Sequence, residues 1–522
     1  MGSKIIAIGL EAADHGLIEA WCAEGRLPAL ASLRTRGSWV NLRSTTEISS
    51  GTTWPSIYTG ATPARHGAGF YHRQLESGTY RLRKFYANSV RRDPFWVAPS
   101  KAGRKIAVFD VPATYPNPGF NGVFLGGWGV EAPSWTAGSL PEGLIGQVRE
   151  RFGSHPLEKW YQTRPSTIEE WKDLQDNLIQ GAKAKGLVSK FLRDENEFDL
   201  LLAVFSEPHW AAHLFWHLTD ATHPEHLPGP AEMLGNPILN VYAELDRAIA
   251  EIVRDAPDCT VLVFSNTGMT ANCSGIHLVP EVLRRLGVGP EGSNRKEASN
   301  ARFDGASSEE TSTGNVVMKV EGLVGPKTIQ LVKRFVPERI WDTWTRRILQ
   351  IGCDWGRSRA FALPNDYNGA IRINLAGREP TGRVAPGPEY DDLCAELIDE
   401  FSRLVNPDTG KPAVSRVFRV DREYGCDDVS DLPDLIVKWA GDAPIRALAS
   451  ARIGCVRGNL IDKRTGAHTD TGFLLAAGTG IKRGARASDG HILDIAPTIL
   501  HLMGEPVPRE MDGKVLRGIL DE

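Results

Sequence analysis

The stretch "VLVFSNTGMT" (261–270) begins as a buried strand and ends in a polar turn that contains glycine. A strand end that opens into such a turn is where open α/β sheets place their ligands. Metal chemistry there calls for a carboxylate and an imidazole, and this chain offers Asn266 and Thr267. Working outward, "KIIAIGL" (4–10), "KIAVFDVP" (105–112), "FDLLLAVFS" (198–206) and "DLIVKWA" (434–440) are further short apolar runs. Stretches with helical spacing separate several of them, such as "ILNVYAELDRAIAEIVRDA" (238–256). Strands alternating with amphipathic helices predict an α/β fold whose central sheet is mostly parallel and carries helices on both faces.

A chain of 522 residues has room for more than one packed core. Its formal net charge of -4 leaves no basic excess to neutralise phosphates, which argues against a nucleic-acid partner. The basic stretch "RLRKFYANSVRR" (81–92) reads as a solvated face. Cysteines at 22, 259, 273, 353, 394, 426 and 455 form no CxxC pair, as expected in a reducing compartment. The start "MGSKIIAIGL" lacks the h-region of a signal peptide, and no apolar run approaches the roughly 20 residues that span a bilayer. A cytoplasmic location without membrane attachment is the expectation.

The segment 289–315 is rich in Ser, Gly, Asn and Glu and almost empty of large apolar residues, so it reads as a flexible polar insertion. It divides the expected α/β core into a first part, 1–288, and a region, 316–440, with remaining core strands and a smaller cap subdomain. The last part, 441–522, returns to the core.

Four places offer chemistry. Glu11 closes the first strand. The run "STTEISSGTTWPSIYTGATPARHG" (44–67) leads hydroxyls into a helix start, where a Ser or Thr serves either as a cap or as a nucleophile. In "FSEPHWAAHLFWH" (205–217), His209 and His213 are four apart and share one helix face, the spacing of a metal-binding pair and equally of two structural histidines. His468 precedes an apolar strand in "RTGAHTDTGFLLAAGTGI" (464–481).

The order of these pieces resembles the alkaline phosphatase superfamily, and more narrowly its type I phosphodiesterase/nucleotide pyrophosphatase branch. The resemblance is also carried by "RLPALASLRTRGS" (26–38), "WPSIYTGATPARHG" (54–67), "LPNDYNGAIRINLAGREP" (363–380) and "DIAPTILHLMGEPVPREMDGKVL" (494–516). It implies two metal ions, commonly zinc, beside a Thr or Ser nucleophile. Counted back from "WPSIYTG", the nucleophile position falls on Ser50, with Ser49 and Thr52 as neighbouring alternatives. One metal site would consist of His209, where the family has Asp, together with His213 and His468.

The other site would use Glu11, where the family has Asp, the nucleophile, and positions 266 and 267. There the family's "SDHGM" is replaced by "SNTGM". An amide and a hydroxyl are poor zinc ligands, so this second site reads as degenerate. The resemblance then implies a metal-dependent hydrolase or phosphotransferase acting on a small phosphorylated compound, with one zinc on three histidines. Iron or copper suits the same donors. Glu11 would serve as a further ligand or as a general base. The competing reading is a fold repurposed as a mononuclear metalloenzyme, a lyase, another hydrolase or an oxidoreductase. A catalytically silent binding protein stands third. Arg65, His66, Tyr71, His72 and His277 lie near these motifs in sequence and are candidates for contacting an anionic substrate.

Overall fold

The computed structural model describes residues 3–69, 74–83, 85–117, 119–129, 138–159, 165–290, 355–425, 430–458 and 464–521. The body of the polar insertion, from 291 on, and the positions Tyr71 and His72 lie outside them. The chain forms two compact units, Met1–Gly69 with Tyr86–Asn272 and Lys463–Glu522, and Phe70–Phe85 with Cys273–Asp462. The expected boundaries lie at 288 and 440; the chain changes unit after Asn272 and returns at Lys463. The early change has an apolar cause. Leu278, Val279, Val282 and Leu283 are buried in the core of the second unit with Ile371, Leu397 and Val437.

The first unit is built on a nine-stranded sheet. Its strands are β1 (Lys4–Leu10), β2 (Gly37–Arg43), β3 (Ile106–Phe109), β4 (Gly122–Gly126), β5 (Gly138–Leu140), β6 (Leu200–Phe205), β7 (Cys259–Ser265), then β10 (Thr471–Ala477) and β11 (Arg486–His491). Between β7 and β10 lie β8 (Met269–Ala271) and β9 (Gly466–His468), which pair antiparallel as a separate two-stranded sheet. The order across the large sheet is β11-β2-β10-β7-β1-β6-β3-β4-β5. The central neighbours β7, β1, β6, β3 and β4 are all parallel.

β1 shows why such a run must be a central strand. Alternate side chains enter two different cores, Ile6, Ile8 and Leu10 on one face and Ile5 and Ala7 on the other. A strand buried on both faces reads as a continuous apolar run rather than an alternating one. The first core is completed by long helices and the second by short ones, among them α1 (Thr53–Thr59). Packed against the first core are α2 (Ile168–Asp194), α3 (Glu207–Thr219) and α4 (Pro237–Val253). A capping box between Thr167 and Glu170 starts α2, and Asn236 with Pro237 starts α4.

The second unit carries a four-stranded antiparallel sheet, Ala360–Leu363, Gly369–Ile373, Leu435–Trp439 and Val414–Arg419. The helix Pro388–Ser402 supplies Leu393, Leu397 and Phe401 to its core. No described helix is long and apolar enough to cross a membrane. The described cysteines, 22, 259, 273, 394 and 455, are all free thiols.

Candidate metal centre

Three adjacent parallel strands end at the same edge of the sheet. Glu11 follows β1, Asn266 follows β7, and Ser206 leads from β6 into α3. The register pairs Leu10 with Phe205 and Gly9 with Phe264, so these three chain ends meet side by side.

His209 and His213 lie one turn apart on α3, and His468 ends β9. Their ring centroids are 4.5 Å apart for His209 and His213, and 4.9 Å for each of these with His468. One donor nitrogen from each ring lies within 4.8 Å of the other two. β9 is locked to α3 by backbone and side-chain bonds. The His213 carbonyl accepts the Thr465 N–H at 2.7 Å, and His213 Nδ1 donates to the Gly466 carbonyl at 2.8 Å. Because a carbonyl only accepts, this bond fixes the His213 tautomer and leaves Nε2 as the lone-pair donor.

Burial keeps all three rings neutral. It lowers the His209 pKa to about 3, with the nearby Arg464 guanidinium acting in the same direction. His213 and His468 also lie well below the ordinary imidazole range, first through burial and then through the neighbouring rings and Arg464. A neutral imidazole is the form that binds a metal. Three nitrogens within 4.8 Å need to close by at most about 1.4 Å to reach the N···N spacing of a tetrahedral zinc site, about 3.4 Å. The donor set therefore fits one zinc with an open fourth position.

Glu11 stands beside this trio, its Oε2 3.8 Å from His209 Nδ1. The Trp54 indole N–H donates to Oε1 at 3.3 Å. Burial pushes the carboxyl up to about 7, against the opposing effects of the Trp54 bond and the Lys185 charge.

Asn266 and Thr267 are arranged differently. Asn266 Oδ1 accepts the Ala12 N–H at 2.8 Å, and its Nδ2 donates to Thr53 Oγ1 at 2.9 Å. Ala12 itself sits at φ 52°, so the chain turns sharply after β1 and the amide stabilises that turn. The Thr267 hydroxyl donates to the Thr469 carbonyl. The polar atoms at these two positions thus bond to the protein itself.

Of the three hydroxyl candidates, Thr52 is fully buried and bonds to the Thr45 and Ser49 carbonyls. Ser49 is buried and caps the following turn through Gly51 N–H. Ser50 opens the single 3-10 turn Ser50–Thr52 that runs into α1, and it alone of the three is partly exposed. Arg65 is half-exposed and pairs with Asp512 at 3.0 Å. His66 is fully buried; its Nε2 bonds Ser56 Oγ at 3.0 Å and its Nδ1 accepts the Ala68 N–H, so its ring serves the turn after α1. His277 belongs to the second unit.

Residues 5–345 match the family model for type I phosphodiesterase / nucleotide pyrophosphatase. The chain belongs to that family. Membership places it among phosphoester hydrolases. No curated protein matches it. The chain is similar in structure to a multiply substituted variant of alkaline phosphatase PafA, with 12% identity, a TM-score of 0.52, and 100% and 99% of the two chains covered. It is also similar to phosphonoacetate hydrolase from Sinorhizobium meliloti 1021, at 11% identity and a TM-score of 0.48 with 96% of each chain covered. Murine ectonucleotide pyrophosphatase / phosphodiesterase 5 gives 11% identity and a TM-score of 0.46, covering 99% of this chain and 100% of that one. At 12% identity the likeness to the PafA variant establishes the alkaline-phosphatase-like fold alone.

The sequence reading missed a buried polar group beneath the site. Lys185, Asp110, His155 and Glu207 are all at most 3% exposed. A signal for it existed. Lys185 occupies the apolar stripe of α2 together with Ala182, Val188 and Leu192.

Proposed function

We propose that this protein hydrolyses or transfers the phosphoryl group of a small phosphorylated compound, using one metal ion, zinc, held by His209, His213 and His468. The observation that carries the reading is the convergence of three neutral imidazole nitrogens within 4.8 Å at the ligand edge of the sheet. When bound, zinc supplies Lewis-acid polarisation of a phosphoryl oxygen. Ser50 is the nucleophile: it is the partly exposed hydroxyl at the start of the turn into α1. Glu11, 3.8 Å from His209, serves as a further ligand or as a general base, and the Trp54 N–H fixes its orientation. A second metal finds no ligands at Asn266 and Thr267, whose polar atoms are engaged in the protein. The free thiols among the described cysteines support a reducing, cytoplasmic location, and the net charge of -4 gives no support to a nucleic-acid partner.

The engaged state of Asn266 and Thr267 also favours a second reading, a mononuclear metalloenzyme that acts on something other than phosphate. Elemental analysis of the purified protein, together with turnover of a generic aryl phosphodiester, separates the two. One equivalent of zinc, absent from His468→Ala, with turnover lost in Ser50→Ala and Glu11→Gln, is the expected result. Iron or copper without phosphodiester turnover establishes the second reading. Two equivalents of zinc refute the single-metal site, and unchanged turnover in Glu11→Gln refutes the role of Glu11.

A further inference from the structure

The segment from Val204 to Glu207, where β6 turns into α3, is held by buried groups from separate parts of the first unit. Lys185 Nζ, fully buried on α2, donates to the Val204 carbonyl at 3.0 Å and to Ser206 Oγ at 3.2 Å. It pairs with Asp110 Oδ2 at 3.4 Å. Asp110 in turn accepts the Trp128 and Gly129 N–H groups at 2.9 and 2.8 Å. Glu207 Oε1 meets His155 Nε2 at 2.8 Å.

Ser206 occupies the N-cap position of α3 but makes no side-chain cap. Its hydroxyl donates instead to the Gly129 carbonyl at 3.2 Å and accepts from Lys185. A serine in that position ordinarily accepts an N–H of the first helical turn. Here the start of the helix is fixed by the ammonium group from the neighbouring helix. The space is also built for it. A Cβ at Gly129 would lie 2.7 Å from Lys185 Cε, and one at Gly181 would lie 2.8 Å from His155 Nε2.

Charges buried in this way are costly, and apolar side chains of equal volume often give equal or greater stability. Stability alone therefore gives this cluster no reason to be charged. What it fixes is direction. His209 is two residues beyond Glu207 and His213 six, and each residue advances the helix by about 100°, so a small rotation of the first turn carries both rings away from His468.

We propose that Lys185 is a positioning residue for the three-histidine centre, setting the start and phase of α3 through Val204, Ser206 and Asp110. This rests on the metal-binding reading above. Lys185 touches neither the histidines nor substrate in this role; it acts through the backbone that carries His209 and His213. Its charge also opposes the effect of burial on Glu11.

The test is zinc affinity by chelator competition, with the visible absorption spectrum of the cobalt(II)-loaded protein as a report on ligand geometry. Lys185→Met keeps the alkyl stem and removes the charge. The expected result is a cooperatively folded protein with zinc affinity reduced about 10- to 100-fold, the range seen when supporting partners of metal ligands are removed, and an altered cobalt spectrum. Folded Lys185→Met with zinc affinity within twofold of the parent and an unchanged spectrum overturns the proposal. Should Lys185→Met fail to fold, the near-isosteric Asp110→Asn is judged by the same two readouts. A parent protein that binds no zinc refutes the metal reading and this inference together. A parent that binds one equivalent alongside an unaffected Lys185→Met refutes the inference alone.

Discussion

Asn266 acts through its amide in the structure of the site. Its amide bridges Ala12 N–H and Thr53 Oγ1, and the Thr53 hydroxyl donates onward to the Ser50 carbonyl at 2.8 Å. Asn266→Asp would keep the acceptor for Ala12 but set a carboxylate oxygen against Thr53 Oγ1, whose proton is already committed. We expect the variant to lose about 1–3 kcal/mol of stability in chemical denaturation and to gain no second zinc equivalent, since Thr267 remains a hydroxyl. His66 carries a pH signature. Burial, aided by Arg92 and Arg91, lowers its pKa from 6.5 to about 3, so the unfolded chain takes up the proton first as the solution is acidified. The stability due to neutral His66 is complete above about pH 6.5 and is lost as pH falls toward 3. Urea midpoints at pH 7 and pH 5 should therefore differ less in His66→Gln than in the parent.

At the scale of elements, the centre depends on the close approach of α3 and β9. Gly466 makes that approach possible: a Cβ there would lie 2.3 Å from the Ala212 carbonyl oxygen, and the Gly466 carbonyl is the acceptor for His213 Nδ1. A backbone atom cannot give way as a flexible side chain does. Gly466→Ala should push β9 off α3, separate His468 from the other two rings, and lower zinc affinity at least tenfold by chelator competition. A variant with parental affinity would show that the contact does not set the ligand geometry. Much of this level was readable in advance. The i, i+4 spacing of His209 and His213 placed them on one helix face, and the apolar run of β1 announced a strand buried on both sides. The diverted cap at Ser206 was not readable, because its cause is a lysine on another helix.

For the whole molecule, the centre joins segments more than 250 residues apart in the chain, as the His213 to Gly466 bond shows. A ligand that binds only where such segments meet stabilises the folded state alone. At a zinc concentration about 100 times its dissociation constant the gain should approach 2.7 kcal/mol, seen as a rise in Tm that a chelator reverses. His468→Ala should abolish that rise while leaving the metal-free Tm close to that of the parent. A rise that persists in His468→Ala would place the metal elsewhere. The division into two units belongs to this scale as well. The composition changes at 289, but the change of unit falls after Asn272, because tertiary contacts rather than composition assign Val279 and Leu283 to the second core.

The amino-acid sequence by itself determined the class of fold, through the period and length of its apolar runs. It also fixed which side chains are on offer, because three imidazoles and the "SNTGM" turn are properties of the letters alone. What only the tertiary structure decided is how those atoms are disposed. It brings His468 within 4.9 Å of His209 and His213, closes His66 into a buried turn, and ties Asn266 and Thr267 to the backbone. It also buries Lys185 under the start of α3. The physical reason is that hydrogen-bond partners and burial depend on distance in space. Periodicity along the chain reports which face of an element is apolar, and it carries no information about which distant group that face will meet.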